Sequence, residues 1–114
     1  MKTTEKARAE ILRGTLEMLI LKTLKGLGPM HGYALAKSIQ QTSEEILRVE
    51  EGSLYPALQR MLAKGWVTAE WMQAGPKRRN RVYRLTLEGR KQLQAEIAQY
   101  RLVTLAIERV IEPA

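Results

Sequence analysis

The chain has 114 residues, of which 45% are hydrophobic and 27% are charged, and this composition predicts one folded domain and excludes a disordered chain. Its 19 lysines and arginines against 12 acidic residues give a net charge of +7, which favours a polyanionic partner, either nucleic acid or an anionic membrane surface. Because there is no cysteine, disulfides, thiol nucleophiles and cysteine-ligated zinc are excluded.

The apolar residues form no run long enough to cross a bilayer. The longest uninterrupted run is Met18 to Leu21, whereas a spanning helix needs roughly 18 apolar residues. Residues 1–14 alternate charged with small side chains and lack the apolar region of a signal peptide. The sequence therefore predicts a soluble, cytoplasmic protein with no membrane partner.

Apolar residues at helical spacing predict a first helix from Leu12 to Leu27. One face of it consists of Leu12, Leu16, Leu19, Ile20, Leu24 and Leu27. A second apolar face consists of Ile11, Met18 and Leu21. A helix that is apolar on two sides must be covered on two sides, so we expect cover from the domain core and from a second long helix or a second subunit. Gly26, Gly28 and Pro29 are expected to end this helix.

His31 is the only histidine, and it is expected to help start a second helix. Tyr33 is assigned to the apolar face of this helix, whereas Gln40 is expected to face outward. The helix should end near residues 42–43, before a short apolar bridge at residues 46–49 that can form one brief strand.

A third helix is the candidate DNA-reading element. Because Pro56 is tolerated only in a first helical turn, the helix is expected to begin near Ser53, with Gly52 or Ser53 as its N-cap, and to end at Gly65. Its buried stripe is expected to consist of Leu54, Leu58, Met61 and Leu62. Its outward face is expected to carry Pro56, Gln59, Arg60 and Ala63, flanked by Ser53 and Lys64.

The outward face of this third helix has side chains that suit a DNA major groove, which admits one α-helix. Arg60 can donate two hydrogen bonds to guanine, and Gln59 can pair with adenine. Ser53 and Tyr55 lie near the helix start and are candidates for phosphate contacts, with Lys64 at the other end. An ordinary surface helix that happens to carry a glutamine and an arginine is the alternative interpretation.

Two runs with period-two alternation follow and predict a β-hairpin. The first strand comprises residues 67–72, a turn runs from Gln73 to Asn80, and the return strand comprises residues 81–85. The cationic residues at the tip and return arm are Lys77, Arg78, Arg79, Arg81 and Arg84. A run of charge is usually only solvated, but arginines at a hairpin tip beside a reading helix suit the minor groove or its flanking phosphates. The residues of this run that we expect to contact DNA are Lys77, Arg78, Arg79 and Arg81.

The two tryptophans, Trp66 and Trp71, are large enough to stack on bases. Both also lie where the hairpin should meet the helical core, and Trp71 shares its predicted face with Val67 and Ala69. We therefore expect both rings to pack against the core rather than to stack on nucleic acid.

Thr86 is the predicted N-cap of a last helix that extends to about Glu112. Such a helix is roughly 40 Å long, whereas a domain of this size has a radius of gyration of about 13 Å, so its distal half cannot be covered by its own domain. A heptad-like seam along it consists of Leu93, Ile97, Tyr100, Thr104, Ile107 and Ile111. We expect this seam to form a homodimer; an intramolecular core helix and a membrane-surface helix are the alternatives.

These elements predict a mainly α fold with a small two-stranded β wing, that is, a winged helix-turn-helix followed by a long C-terminal helix. Residues 1–85 would form the DNA-binding domain and residues 86–114 the dimerisation helix, within one compact unit. One histidine cannot make a metal site, the carboxylates do not pair for acid–base chemistry, and there is no glycine-rich phosphate loop. We therefore expect no enzyme activity, no metal and no cofactor.

Short segments of the chain match a known family in their order and spacing. They are Leu12–Glu17, His31–Leu35, Gly52–Leu58, Tyr83–Thr86 and Gly89-Arg90. The strongest match is the third of them, Gly-Ser-Leu-Tyr-Pro-Ala-Leu. Over about residues 12 to 112 the chain resembles the PadR family of bacterial transcriptional regulators.

The resemblance implies a homodimer that binds a pseudo-palindromic operator in double-stranded DNA and usually represses transcription. It also implies a short form of the family, with one C-terminal helix, in which Tyr33, Ser53, Tyr55 and Pro56 lie near DNA. Some relatives bind flat aromatic effectors between subunits through a tryptophan of the last helix, where this chain offers only Tyr100 as a ring.

The sequence therefore predicts a dimeric, sequence-specific repressor without catalytic activity. A small-molecule effector, if one binds, would act by changing the spacing between the two reading helices. The main alternative is a winged-helix interaction module whose basic face binds an acidic partner protein.

Overall fold

A computed structural model describes residues 9–11 and 14–112, and in these residues it contains four helices and five strands. The helices are α1 (Leu16–Leu27), α2 (Gly32–Thr42), α3 (Glu51–Ala63) and α4 (Leu87–Ile111). The strands are β1 (Ala9–Glu10), β2 (Met30–His31), β3 (Leu47–Arg48), β4 (Val67–Gly75) and β5 (Arg78–Leu85). The predicted fold class, a winged helix-turn-helix followed by a long helix, is confirmed.

All four helices and both long strands contribute to one hydrophobic core. Its largest fully buried side chains are Ile20, Leu21, Leu35, Leu54, Leu58, Met61, Leu93 and Val67. Burying one such side chain stabilises the fold by about 1.5–3 kcal/mol relative to leaving it in water, so this core is what holds the elements together.

α1 is the central helix of this core. It contacts α2, α3 and α4, so much of its predicted two-sided cover comes from the same chain. Leu12, the predicted first residue of its apolar face, lies outside the described residues. Gly26 lies inside α1, and the helix ends only at Gly28, where the backbone turns at a φ of 93°.

His31 caps α2, because its Nδ1 accepts a hydrogen bond from the Ala34 N–H at 3.3 Å. The expectation that His31 starts this helix is confirmed. The assignment of Tyr33 to the buried face is wrong, since its side chain is 65% exposed. The outward orientation expected for Gln40 is also wrong: its Oε1 accepts a hydrogen bond from the Val49 N–H at 3.0 Å, because the linker between α2 and α3 folds back along α2.

α3 begins two residues earlier than predicted, at Glu51, with Glu50 at its N-cap. Pro56 therefore lies in the second turn, where it cannot donate a hydrogen bond to the carbonyl of Gly52. This carbonyl belongs to an exposed residue, so water can replace the missing donor and the helix tolerates the proline. The predicted end of α3 is confirmed by its last residue, Ala63, and by the positive φ of Gly65.

The wing is longer and more regular than predicted. β4 and β5 pair antiparallel and are joined by residues 76–77 alone, so the turn expected from Gln73 to Asn80 is wrong. The register shifts between Gln73 and Gly75, a bulge that lets the strands continue to the tip. β2 adds a third strand beside β5 and gives the sheet order β2-β5-β4. With only two residues, β2 carries no alternating pattern that could have been recognised in the sequence.

Thr86 joins α4 to the turn that follows α3. Its Oγ1 accepts a hydrogen bond from the Gly89 N–H at 2.9 Å, which confirms the predicted N-cap. The same hydroxyl donates to the carbonyl of Gly65 at 2.7 Å, and the Thr86 N–H donates to the carbonyl of Trp66 at 3.1 Å. These bonds fix the point from which α4 leaves the domain.

α4 projects from the domain, as its length predicts. The radius of gyration is 16.1 Å and the molecule measures 59 × 38 × 23 Å, whereas a compact domain of this size has a radius of about 13 Å. Only Gly89 and Leu93 of this helix are buried. None of the helices in the described part of the chain combines the length and the apolar character needed to cross a membrane.

We predict that Gly89→Ala strongly destabilises the fold. A Cβ at this position would collide with the carbonyl oxygen of Trp66 and would lie 2.7 Å from Cδ1 of Leu85, so backbone must move. The expected loss in unfolding free energy is about 1–3 kcal/mol or more, measured by urea denaturation.

The matched control is Gly26→Ala, also in a helix, where a Cβ meets no atom within 4 Å. This variant should be neutral or more stable by up to about 1 kcal/mol, because alanine favours a helix. Equal stability of Gly89→Ala and the wild type would contradict the close contact.

Candidate nucleic-acid interface

The face of α3 that points away from the core is exposed along its whole length. Its residues are Ser53, Pro56, Gln59, Arg60, Ala63 and Lys64, all of them exposed as the helical spacing predicts. The opposite face buries Leu54, Ala57, Leu58 and Met61. A helix with 13 residues is about 20 Å long, and a single helix of this kind fits the width of a major groove.

Arg60 is held on the flank of α3 that faces α1. Its Nη2 lies 3.0 Å from Oε2 of Glu17, and its Nε donates to the same oxygen at 3.1 Å. The Glu17 side chain is only 16% exposed, whereas that of Arg60 is 54% exposed. Nothing in the sequence indicated this ion pair, because its partners are 43 residues apart. One edge of the Arg60 guanidinium is therefore already occupied.

The other flank of α3 meets the start of α2. The ring of Tyr55 lies over Gly32, where an added Cβ would be 2.8 Å from Cε1 and 2.9 Å from the hydroxyl of Tyr55, so this contact requires glycine. Tyr33 follows directly, and its ring lies nearly parallel to that of His31, with centroids 6.4 Å apart. The structure thus brings the two predicted tyrosines of the interface to the same junction.

The wing cations do not form one cluster. Successive side chains of a strand point to opposite faces, so Arg79 and Arg81 share a face of β5 with Tyr83, whereas Arg78 lies on the other face. Lys77 alone occupies the turn. All four are exposed except Arg81, which is half-buried.

The base of the wing lies against the helical part of the domain. Burial raises the pKa of the Tyr83 hydroxyl; the charge of Arg81 acts in the opposite direction, and Tyr55 adds to the increase. Tyr83 itself is only 5% exposed and belongs to the hydrophobic core. The face of β5 that carries Tyr83 and Arg81 therefore turns toward the helices.

The two tryptophans have different environments. Trp66 is half-buried against the core, as expected, and the Lys64 ammonium lies 4.7 Å above its ring. Trp71 is 57% exposed, so its predicted burial is wrong. The reason is the length of the hairpin, which carries Trp71 beyond the helices that bury Val67 on the same face.

A second exposed surface lies on the distal half of α4 and is apolar. Its large side chains are Tyr100, Leu102, Val103, Leu105, Ile107, Val110 and Ile111. Of the predicted seam, Leu93 is buried in the core of its own chain and Ile97 packs against that core. The part of the seam that is available to a partner comprises Tyr100, Thr104, Ile107 and Ile111, with Thr104 half-buried.

Within residues 9–11 and 14–112, no group of three or more histidine and acidic side chains could hold a metal ion. The geometry described above is that of a surface that binds a large partner: an exposed helix, a cationic strand pair and a separate apolar helix.

Comparison with known proteins identifies the fold and its family. The family model described as "Transcriptional regulator PadR-like family" matches residues 20–95. A PadR family transcriptional regulator from Eggerthella lenta superimposes with a TM-score of 0.77 at 32% identity, over 90% of this chain and 86% of that one. Bacillus subtilis PadR, solved in complex with operator DNA, has a TM-score of 0.66 at 23% identity, over 73% of this chain and 47% of that one.

One curated relative is much longer than this chain. An uncharacterized 37.1 kDa protein of transposon TN4556 from Streptomyces fradiae is 41% identical over 80 residues, which are 70% of this chain and 21% of that protein. This chain thus spans about a fifth of the length of that relative.

Proposed function

The chain belongs to the PadR-like family of transcriptional regulators, and we propose that it is a homodimeric repressor of a pseudo-palindromic operator in double-stranded DNA. The family consists of transcriptional regulators and not of enzymes. The observation that carries the proposal is the exposed face of α3, followed along the chain by a wing whose tip carries four cations. The operator complex of the Bacillus subtilis relative supports the same use of this fold.

α3 would enter the major groove with its exposed face toward the base edges. Gln59 projects from the outer part of this face, and its amide can pair with adenine. Arg60 has its Nε edge on Glu17, so we assign it to the flanking phosphates rather than to a base. Ser53, Tyr55 and Pro56 at the helix start would lie along the backbone of the same groove.

The wing would hold the DNA backbone beside the groove that α3 enters. Among the described residues, the cations of the wing tip have no carboxylate partner within ion-pair distance, whereas Arg84 at its base pairs with Glu70 at 3.7 Å. The tip cations are Lys77, Arg78, Arg79 and Arg81. Charges without a partner in the protein are free to neutralise phosphates, and they supply affinity without sequence preference. Tyr33 would add a hydroxyl at the start of α2.

The exposed part of the α4 seam would pair with the same helix of a second chain. An apolar surface of this extent is unusual on a monomer and normally marks an interface. In this arrangement residues 1–85 bind DNA and residues 86–114 dimerise, as parts of one unit. Two copies of α3 would then enter major grooves one helical turn, about 34 Å, apart, which requires a pseudo-palindromic site. A dimer bound there represses if the site overlaps a promoter.

We expect this chain to select a defined site from a pool of random duplexes. Its affinity for the selected duplex should exceed that for a shuffled duplex of the same composition by at least ~10³-fold, measured by fluorescence anisotropy. Affinity should also fall with salt, with a log–log slope of roughly −0.9 per neutralised phosphate. Equal affinity for both duplexes would contradict the repressor and favour a module that binds an acidic protein.

Gln59→Ala and Arg60→Ala should change DNA binding in different ways. The first should lose discrimination at one base pair of the site, by about 1–3 kcal/mol, and leave the salt slope unchanged, because only a base contact is removed. The second should weaken binding to all duplexes and reduce the slope by about one. Loss of discrimination in Arg60→Ala would mean that this arginine leaves Glu17 and reads a base.

Ile107→Asp should convert the dimer to a monomer, because it introduces a charge into the apolar seam. The measurement is the mass by sedimentation equilibrium. Ala98→Asp is the matched control: it lies nine residues earlier on α4, half a turn around the helix, and is also exposed, so its mass should remain that of a dimer. An unchanged mass for Ile107→Asp would contradict the proposal that this seam forms the dimer.

A further inference from the structure

Trp71 is an exposed tryptophan between two arginines. The Cζ of Arg79 lies 5.2 Å from the centroid of its indole ring, and the Cζ of Arg81 lies 5.8 Å from it. In the hairpin register Trp71 is directly opposite Arg81, while Arg79 is opposite Gln73 and so reaches the ring diagonally. The ring is therefore shared by both guanidinium groups.

Two like charges that converge on one ring repel each other unless something compensates. The negative face of the indole supplies part of this compensation, since cation–π contacts are attractive at these distances. Neither arginine has a carboxylate partner within ion-pair distance in the described part of the chain. In addition, the Nε of Arg81 is buried and has no hydrogen-bond acceptor. Two guanidinium groups that share one ring and have no acidic partner are the chemistry of a site for an anion.

The position of this trio fixes the direction from which an anion can arrive. Arg79 and Arg81 share the strand face of Tyr83, which is buried in the hydrophobic core. The trio therefore lies on the face of the wing that turns toward the helices, beyond their edge. Arg78 belongs to the opposite face and does not contribute.

We propose that Trp71 is a positioning residue for backbone recognition: its ring holds Arg79 and Arg81 side by side so that they bind a phosphodiester of the DNA that lies between the wing and α3. This inference rests on the proposed DNA-binding function. It differs from stacking of the indole on a base, because here Trp71 acts only through the two arginines.

The test uses the full-length chain with Trp71→Leu and Trp71→Phe, and a random-sequence duplex at low salt as well as the selected duplex. Trp71→Leu keeps an apolar side chain but removes the π face, and should bind both duplexes about 5- to 30-fold more weakly, the effect of losing two cation–π contacts. Trp71→Phe keeps a π face and should recover most of this loss. Met72→Ala is the matched control, because Met72 is the next residue, 47% exposed and on the opposite face, and its affinity should not change.

A double-mutant cycle separates positioning from stacking. In the Arg79→Ala/Arg81→Ala background, Trp71→Leu should change the affinity less than about 2-fold, because the groups it positions are gone. An undiminished loss in that background would overturn the proposal and indicate direct stacking on DNA. The same affinity for Trp71→Leu and the wild type would also overturn it.

The proposed repressor function and the proposed positioning role of Trp71 can be disproved separately. If the wild type discriminates the selected duplex but Trp71 is without effect, the positioning role is wrong and the repressor function stands. If the wild type binds all duplexes equally and Trp71→Leu still weakens binding, the operator function is wrong and the phosphodiester site stands. No binding to any duplex would overturn both.

Discussion

The contact between the start of α4 and the turn after α3 determines how the two exposed surfaces of the molecule, on α3 and on α4, are oriented relative to each other. Gly89 lies so close to the carbonyl of Trp66 that no side chain fits between them. Thr86 closes the junction with hydrogen bonds to the same turn. α3 carries the exposed reading face and α4 carries the apolar seam, so this junction sets the angle between them. In a dimer built on α4, the same angle would set the distance between two reading helices.

The molecule has two surfaces that its own fold leaves unsatisfied, and they differ in chemistry. On the distal half of α4, apolar side chains such as Ile107 remain exposed, and their exposed surface gives no stabilisation from burial. On the wing, Arg79 and Arg81 converge without an acidic partner in the described residues. The first surface suits a second copy of the chain, and the second suits a polyanion. The proposed function uses both surfaces, because the chain would bind DNA through the wing and α3 and would dimerise through α4.

Features that depend on local sequence were predictable, and features that depend on distant partners were not. Helical periodicity and the threonine cap were sufficient for the order of the helices, the exposed face of α3 and the length of α4, since these follow from spacing along one element. The start of α3 was misjudged because the rule for Pro56 ignores the water that can serve an exposed carbonyl. The ion pair between Glu17 and Arg60 could not be predicted, because the two residues are far apart in the sequence. The exposure of Trp71 could not be predicted either, because the distance by which the hairpin extends beyond the helices depends on tertiary structure.

The central claim is that two chains, fixed by the α3–α4 junction, act on one DNA site. Hydroxyl-radical footprinting of the selected duplex, together with the mass of the complex, tests it most directly. The account predicts two protomers per duplex and two protected segments with centres one helical turn, about 34 Å, or a multiple of it apart. A single protected segment that is saturated by one protomer would contradict the account.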